Sequence, residues 1–194
     1  MTTGSVRRIL LARHGETAWN ALGRLQGHTD IELNDAGREQ ARALAARVAD
    51  RGVSAVWSSD LARARQTAAI VATTLGLAAP TVEPALRERR FGVFEGLTRD
   101  QCATQHPTAW QAWQAQTTAP PGGEPREEVT ARLAGVLTRI ATAAGGTVLV
   151  VSHGGVMRLW MMELLGRTIP LIANGTLFEL EHDGARFQAV DGLR

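Results

Sequence analysis

The run Ile9-Leu10-Leu11-Ala12-Arg13-His14-Gly15 and its counterpart Thr147-Val148-Leu149-Val150-Val151-Ser152-His153-Gly154-Gly155 decide how this chain folds. Each is a short, unbroken apolar stretch that runs into a histidine and a glycine. Such a stretch, bounded by turn residues, fits a strand buried on both faces, as a parallel sheet requires. Two strands of this kind would each deliver a histidine to a sheet edge.

Around them, short β-branched stretches alternate with helical patterns, the signature of stacked βαβ units and an α/β fold. The first strand is expected over Arg7 to Ala12. Ala41, Leu44, Ala45 and Val48 recur at helical spacing, which predicts a helix near Asp35 to Asp50, stopped by Gly52. Val53 to Trp57 reads as the second strand, and Asp60 as the N-cap of a helix from Leu61 to Leu75. Thr81 to Leu86 is a third strand candidate. Val129, Leu133, Val136, Leu137 and Ile140 mark a helix over Arg126 to Ala144, Thr147 to Val151 a strand, and Gly154 to Leu165 another helix. Thr176 to Glu181 and Arg186 to Val190, around Asp183-Gly184, predict a terminal hairpin or edge pair. The stretch Thr98 to Pro125 breaks the alternation and reads as an inserted cap or flap. Within it Trp110 and Trp113, one helical turn apart, read as packing residues rather than substrate platforms.

A chain of 194 residues with 44% hydrophobic content can bury one sizeable core, so a single domain over 1–194 is expected. Its formal charge is +2, and all 21 cationic residues are arginine. With almost nothing to titrate between carboxylates and guanidiniums, the isoelectric point of about 9.8 reflects a small positive excess rather than a basic surface. The arginines are scattered, which argues against nucleic acid as a partner. Cys102 stands alone, so no internal disulfide and no zinc site are expected, a reducing cytoplasm fits, and the residue reads as small and inert. The apolar run Ile9 to Ala12 is too short for a signal segment or a membrane span.

The chemistry lies at the strand ends. His14 follows the first strand and His153 the strand that begins at Thr147; Arg63 falls in the first turn of the helix after the second strand, and Glu88 just past the third candidate. Parallel sheets gather such ends along one edge, where open α/β proteins bind ligands. Phosphoryl transfer needs an in-line nucleophile, positive charge around the non-bridging oxygens and a proton for the departing oxygen. Arg13 and Arg63 would disfavour a further cation, lower the pKa of His14 and leave a ring nitrogen free to attack. Gly154 and Gly155 at a helix start can turn backbone N–H groups toward an anion.

These residues sit in longer blocks: Arg13-His14-Gly15-Glu16-Thr17-Ala18-Trp19-Asn20, Gly23-Arg24-Leu25-Gln26-Gly27, Leu33-Asn34-Asp35-Ala36-Gly37, Ser58-Ser59-Asp60-Leu61-Ala62-Arg63-Ala64, Leu86-Arg87-Glu88, Gly92-Val93-Phe94-Glu95-Gly96 and Ser152-His153-Gly154-Gly155. In this order they resemble the histidine phosphatase superfamily, in its phosphoglycerate-mutase-like branch. The resemblance implies a three-layer α/β/α sandwich on a six-stranded, mostly parallel sheet with an antiparallel edge strand. It implies that His14 becomes the phosphohistidine, that Arg13, Arg63 and His153 cradle the phosphoryl oxygens, and that Glu88 is acid and then base, Glu95 being the rival carboxylate. Asn20, Gln26 and Gly27 match pocket positions, Asn174 an asparagine near the pocket, and Arg65 and Arg89 are candidate further phosphate or carboxylate contacts. His28, His106 and His182 match no catalytic block and read as surface or structural.

The expected function is a metal-independent and cofactor-free phosphatase of small phosphorylated metabolites, with no membrane partner. A phosphoglycerate mutase is the alternative within enzymes, and a non-catalytic relative that binds a phosphorylated ligand is the alternative outside them. The complete set His14, Arg63, Glu88 and His153 argues against the binder, which needs no nucleophile or acid. The absence of arginine from Gln101 to Pro125, and the closeness of Arg194 to the last strand, argue against the mutase, whereas Arg89-Arg90 could hold a carboxylate.

Overall fold

The computed structural model describes residues 7–143 and 145–190. In chain order the elements are β1 (Arg7–Arg13), α1 (Ala18–Ala21), α2 (Asp35–Val48), β2 (Val53–Ser58), α3 (Ala62–Thr74), β3 (Thr81–Val82), α4 (Arg99–Gln105), α5 (Pro107–Gln114), α6 (Arg126–Ala143), β4 (Thr147–Ser152), α7 (Gly154–Leu165), β5 (Leu177–His182) and β6 (Phe187–Ala189). Ala144, expected as the last residue of the α6 helix, lies outside the described residues.

The six strands form one sheet in the order β3-β2-β4-β1-β5-β6. β3, β2, β4 and β1 pair in parallel, β5 runs against β1, and β6 against β5. The strand that opposes the rest is therefore β5, one place in from the edge that β6 forms. Alternation of side chains across the central strands feeds two cores. Ile9 and Leu11 of β1 and Val148 and Val150 of β4 meet α6 and α7 on one face, while Leu10, Ala12, Leu149 and Val151 meet α2 and α3 on the other. All four β1 residues from Ile9 to Ala12 are fully buried, which is why that run is apolar without alternation. The result is the expected α/β/α sandwich.

Two local expectations are corrected. Only Thr81–Val82 of the third candidate is strand; Pro84, which has no N–H for a ladder, instead opens a 3₁₀ turn, Pro84–Leu86, capped by Glu83. Asp60 does not cap α3. Its two carboxylate oxygens accept the Arg87 guanidinium at 2.7 and 2.6 Å, and the Ala62 N–H is instead taken by Asp30 Oδ1 at 2.6 Å.

The 98–125 segment holds α4 and α5, packed on a small apolar cluster of Phe91, Phe94, Cys102 and Trp110. Cys102 is buried as a free thiol.

One close approach explains two separated glycines. A Cβ on Gly15 would run into the backbone carbonyl of Gly37, and a Cβ on Gly37 into the backbone of Glu16. The loop after β1 thus lies backbone to backbone on the first turn of α2. Gly37→Ala should cost about 2 kcal/mol, because backbone atoms cannot move aside as a side-chain tip can. Urea denaturation of the variant against wild type checks this; a change under about 0.5 kcal/mol would show the approach to be soft.

Candidate active site

β1 and β4 are paired up to Arg13↔Ser152, so the next residue of each strand, His14 and His153, emerge side by side. Their ring centroids lie 5.0 Å apart, and both side chains are buried. His14 Nδ1 lies 2.6 Å from the Gly15 carbonyl oxygen. A carbonyl can only accept, so Nδ1 carries the proton and Nε2 holds the lone pair. His153 is set the other way round. Arg63 Nε–H donates to His153 Nδ1 at 3.2 Å, which leaves the ring proton on Nε2, a buried atom with no hydrogen-bond partner in the protein.

Arg63 is fully buried at the start of α3. Besides His153 it donates to the Thr29 carbonyl at 2.9 Å and the Gly27 carbonyl at 2.7 Å. Burial pulls its pKa down to about 10, so it remains a cation at neutral pH. Arg13 donates to the Ile172 carbonyl through Nη1, while its Nε is buried without a partner. The guanidinium passes over the start of α7: a Cβ on Gly154 would meet Arg13 Nε at 3.0 Å, so glycine there makes room for it. Orphaned buried donors such as Arg13 Nε and His153 Nε2 are costly and mark a place where a ligand acceptor belongs.

Glu88 follows the 3₁₀ turn and lies against the same helix. Its Oε1 accepts Arg89 N–H and Val156 N–H, both at 2.7 Å, and its Oε2 accepts Gly155 N–H at 2.8 Å. A Cβ on Gly155 would come 2.7 Å from this carboxylate. The group seated on the N-terminus of α7 is therefore the protein's own carboxyl, and the Gly155 N–H expected to face a ligand is already used. The chain around Glu88 is pinned from outside. Arg132 of α6 donates to the Ala85 and Arg87 carbonyls at 2.8 and 2.9 Å and grips Glu124 through two bonds of 2.9 Å, and His28 Nε2 donates to the Glu88 carbonyl at 2.8 Å. Glu95 has a different place. Its carboxylate accepts the N–H groups of His28, Thr29 and Phe91 and the Thr29 hydroxyl, which ties the Gly27 loop down.

A cavity of about 890 Å³ opens here, lined among others by Arg13, His14, Asn20, Gln26, Gly27, Arg63, Glu88, Arg89, Gly154 and Gly155. Of the expected site residues, Asn174 stands behind the wall: its Nδ2 donates to the His14 carbonyl at 3.0 Å and to Asn20 Oδ1 at 3.2 Å. Arg65 is not brought in. It is exposed on α3, because two residues along a helix turn the side chain about 200° away from Arg63. Trp110 is buried in the apolar cluster, as read, whereas Trp113 both packs on that cluster and lines the cavity. His106 packs on Phe94, and His182 is buried against Phe187. Arg24, Arg99, Arg126 and Arg158 also line the cavity and escaped the sequence reading. Arg99 and Arg126 lie just outside the two ends of the arginine-free stretch, so that stretch understates the positive charge brought to the cavity.

Both histidines are held well below their ordinary value of 6.5, by burial first; Arg13 and then Arg63 follow for His14, and Arg63, His14 and Arg13 for His153. Burial outweighs the arginines that the sequence pointed to. A base kept neutral by folding contributes stability that is fully present above its unfolded pKa and is lost as pH falls below it, because the unfolded chain then binds protons that the native state does not. Between pH 6.5 and 5.5 each histidine should cost about 1 kcal/mol. Urea titrations at the two pH values should therefore show wild type losing about 1 kcal/mol more than His153→Gln; equal losses would mean that His153 titrates normally in the fold.

Among the described residues no group of three or more His, Cys, Asp or Glu is placed to hold a metal ion, and no helix is long and apolar enough to cross a membrane. Residues 9–191 match the model of the histidine phosphatase superfamily (branch 1). Phosphoglycerate mutase-like protein 4 of Arabidopsis thaliana is 41% identical over 155 residues, 77% of this chain and 67% of that protein. The metal-independent phosphoserine phosphatase of the same plant is 42% identical over 159 residues, 79% of this chain and 66% of that protein. Among solved structures, a mycobacterial glucosyl-3-phosphoglycerate phosphatase in complex with VO3 superposes with a TM-score of 0.84 at 32% identity, covering 94% of this chain and 97% of the other. A family match that runs from the first strand past the last, with relatives above the identity at which folds are reliably shared, leaves one assignment: the chain belongs to branch 1 of the histidine phosphatase superfamily.

Proposed function

We propose that this chain is a phosphatase that passes the phosphoryl group of a small organic phosphate to His14 Nε2 and then to water. The observation that carries this reading is the tautomer of His14: the Gly15 carbonyl takes Nδ1–H and so presents a neutral, nucleophilic Nε2 among Arg13, Arg63 and His153. Arg13 and Arg63 supply fixed positive charge for the phosphoryl oxygens, and the orphaned Arg13 Nε and His153 Nε2 are donors awaiting acceptors. Two of the relatives are named as phosphatases of small phosphorylated compounds, and the mycobacterial one of them was also solved with inorganic phosphate.

In the first step Nε2 attacks phosphorus in line, the bond to the leaving oxygen breaks with its electron pair, and Glu88 gives that oxygen a proton. In the second, water attacks the phosphorus of phospho-His14 while Glu88 takes a proton from it, the P–Nε2 bond breaks with its electron pair returning to Nε2, and phosphate leaves. Oε1 of Glu88 accepts two N–H groups but Oε2 only one, so a lone pair of Oε2 is left at which a proton can be held. Glu95, with both oxygens engaged by the Gly27 loop and Phe91, serves as framework. Asn20, Gln26, Gly27 and Arg89 fit contacts to the substrate, Asn174 fits a positioning role behind His14, and the 98–125 segment fits a cap over the mouth.

Two outcomes test the chemistry. His14→Ala should fold and show no burst of p-nitrophenol from p-nitrophenyl phosphate and no phosphohistidine; a retained burst would move the nucleophile elsewhere. Glu88→Gln should lose about 10²-fold or more on an alkyl phosphate and at least about tenfold less on the aryl ester, whose leaving oxygen needs a proton less. Equal losses would take the acid role from Glu88.

Arg24, Arg99 and Arg126, which add positive charge to the cavity lining, favour one second reading, a mutase that returns the phosphoryl group to its substrate. Supplying 3-phosphoglycerate with and without 2,3-bisphosphoglycerate separates the two. Phosphate release should exceed formation of 2-phosphoglycerate; the reverse would establish the mutase.

A further inference from the structure

We propose that His28 is a positioning residue for the general acid: it holds the Glu88–Arg89 peptide plane, and through that plane it sets which carboxyl oxygen of Glu88 carries the proton. The proposal rests on the phosphatase reading above, in which Glu88 is the acid, and adds to it a residue that matches no catalytic block and lies outside the cavity lining.

The peptide that joins Glu88 to Arg89 is the first observation. Its carbonyl accepts His28 Nε2–H at 2.8 Å, and its N–H donates to Glu88 Oε1 at 2.7 Å. A trans peptide is planar, with C=O and N–H pointing in opposite directions. Holding the carbonyl therefore fixes the line along which the N–H meets the carboxyl. A carbonyl that accepts a hydrogen bond also polarises its own peptide and strengthens the donor at the other end. With Val156 N–H on the same oxygen, Oε1 is occupied by two donors, and the proton falls to Oε2, which accepts only Gly155 N–H. Arg132 Nη2 reaches the same carbonyl at 3.4 Å, so the short bond is the one from His28.

The second observation is how firmly the ring is mounted. His28 N–H donates to Glu95 Oε1 at 3.2 Å, and Thr29 N–H and hydroxyl donate to Glu95 Oε2 at 3.0 and 2.8 Å. The carbonyls on either side of His28, those of Gly27 and Thr29, accept the Arg63 guanidinium. Gly27 has φ 54°, and a Cβ there would strike the Glu95 carboxylate. Arg63, assigned to the phosphoryl oxygens, and Glu88, assigned to the leaving oxygen, thus share one three-residue anchor. Because a carbonyl can only accept, Nε2 is protonated whether or not the ring is charged, and the bond to Glu88 persists through the titration of His28.

The test compares kcat/KM on phenyl phosphate and p-nitrophenyl phosphate, which differ little in shape while the first has the more basic leaving oxygen and needs the acid more. Leucine at position 28 removes the donor, and asparagine holds one that stops short of the carbonyl. His28→Leu and His28→Asn should each lose about tenfold or more on phenyl phosphate and under about threefold on p-nitrophenyl phosphate. His28→Gln, whose amide Nε2 has about the reach of the imidazole Nε2, should stay within about threefold of wild type on both. A loss of folded protein lowers both rates alike, so the ratio between the esters is the readout, and asparagine against glutamine carries the comparison should the leucine variant fail to fold. In a Glu88→Gln background His28→Leu should leave that ratio within about twofold, since the acid it positions is gone. A ratio unmoved in the leucine and asparagine variants, a glutamine variant no better than these, or a further tenfold fall in the Glu88→Gln background would each overturn the proposal while leaving the phosphatase reading in place. Wild type that turns over neither ester would remove that reading, and equal losses of Glu88→Gln on the two esters would remove the acid; each takes the role of His28 with it.

Discussion

Parallel pairing of β1 with β4, in register from Ile9↔Val148 to Arg13↔Ser152, sets the distance between His14 and His153 on which the rest of the site depends. Because side chains alternate across a strand, a slip of one residue would exchange the two core faces of β1 at once and carry its histidine to the other side. Register is thus enforced by both layers of helices, through Ile9 and Leu11 on one face and Leu10 and Ala12 on the other. The histidine pair needs no hydrogen bond between its members. Backbone ladders and apolar packing hold it, and burial then keeps both rings neutral.

A second tier of polar contacts follows from this placement. Arg63, buried without a carboxylate partner, is tolerable only because His153 and the Thr29 and Gly27 carbonyls take its donors. Those carbonyls belong to a loop that Glu95 holds by three hydrogen bonds. Glu88 is fixed by the same logic from the opposite layer, its carboxylate on the start of α7 and its backbone on Arg132 and His28. Polar networks of this kind are rigid when every member is satisfied. The members left unsatisfied, Arg13 Nε, His153 Nε2 and Gln26 Oε1, all belong to residues that the sequence had singled out.

The layers and the strand-end histidines were legible in the sequence because β1 and β4 are buried on both faces and read as unbroken apolar runs. Local signals failed where a distant group did the work. Asp60 has the right residue type for a helix cap, yet Arg87 claims it and Asp30, remote in sequence, caps α3 instead. Arg65 shares a block with Arg63, but helical rotation sends it to solvent. Arg126 carried no motif at all, and its place on the cavity wall comes from the fold rather than from any local pattern. Arg24 stood inside a recognised block, and only the shape of the cavity distinguishes it from a solvated charge.

Phe91, Phe94, Cys102 and Trp110 make an apolar cluster separate from the two that sandwich the sheet. A segment with its own small core can open as a cooperative unit while the larger cores stay closed. The free energy of such a local opening is set by a handful of aromatic contacts, Phe94 with Trp110 and Trp113 among them, rather than by the stability of the whole fold. Amide protons of α4 and α5 would then exchange with solvent ahead of those in β1 and β4, and a graft of a different helical pair onto Phe91 and Phe94 would leave the register of the histidine-bearing strands untouched.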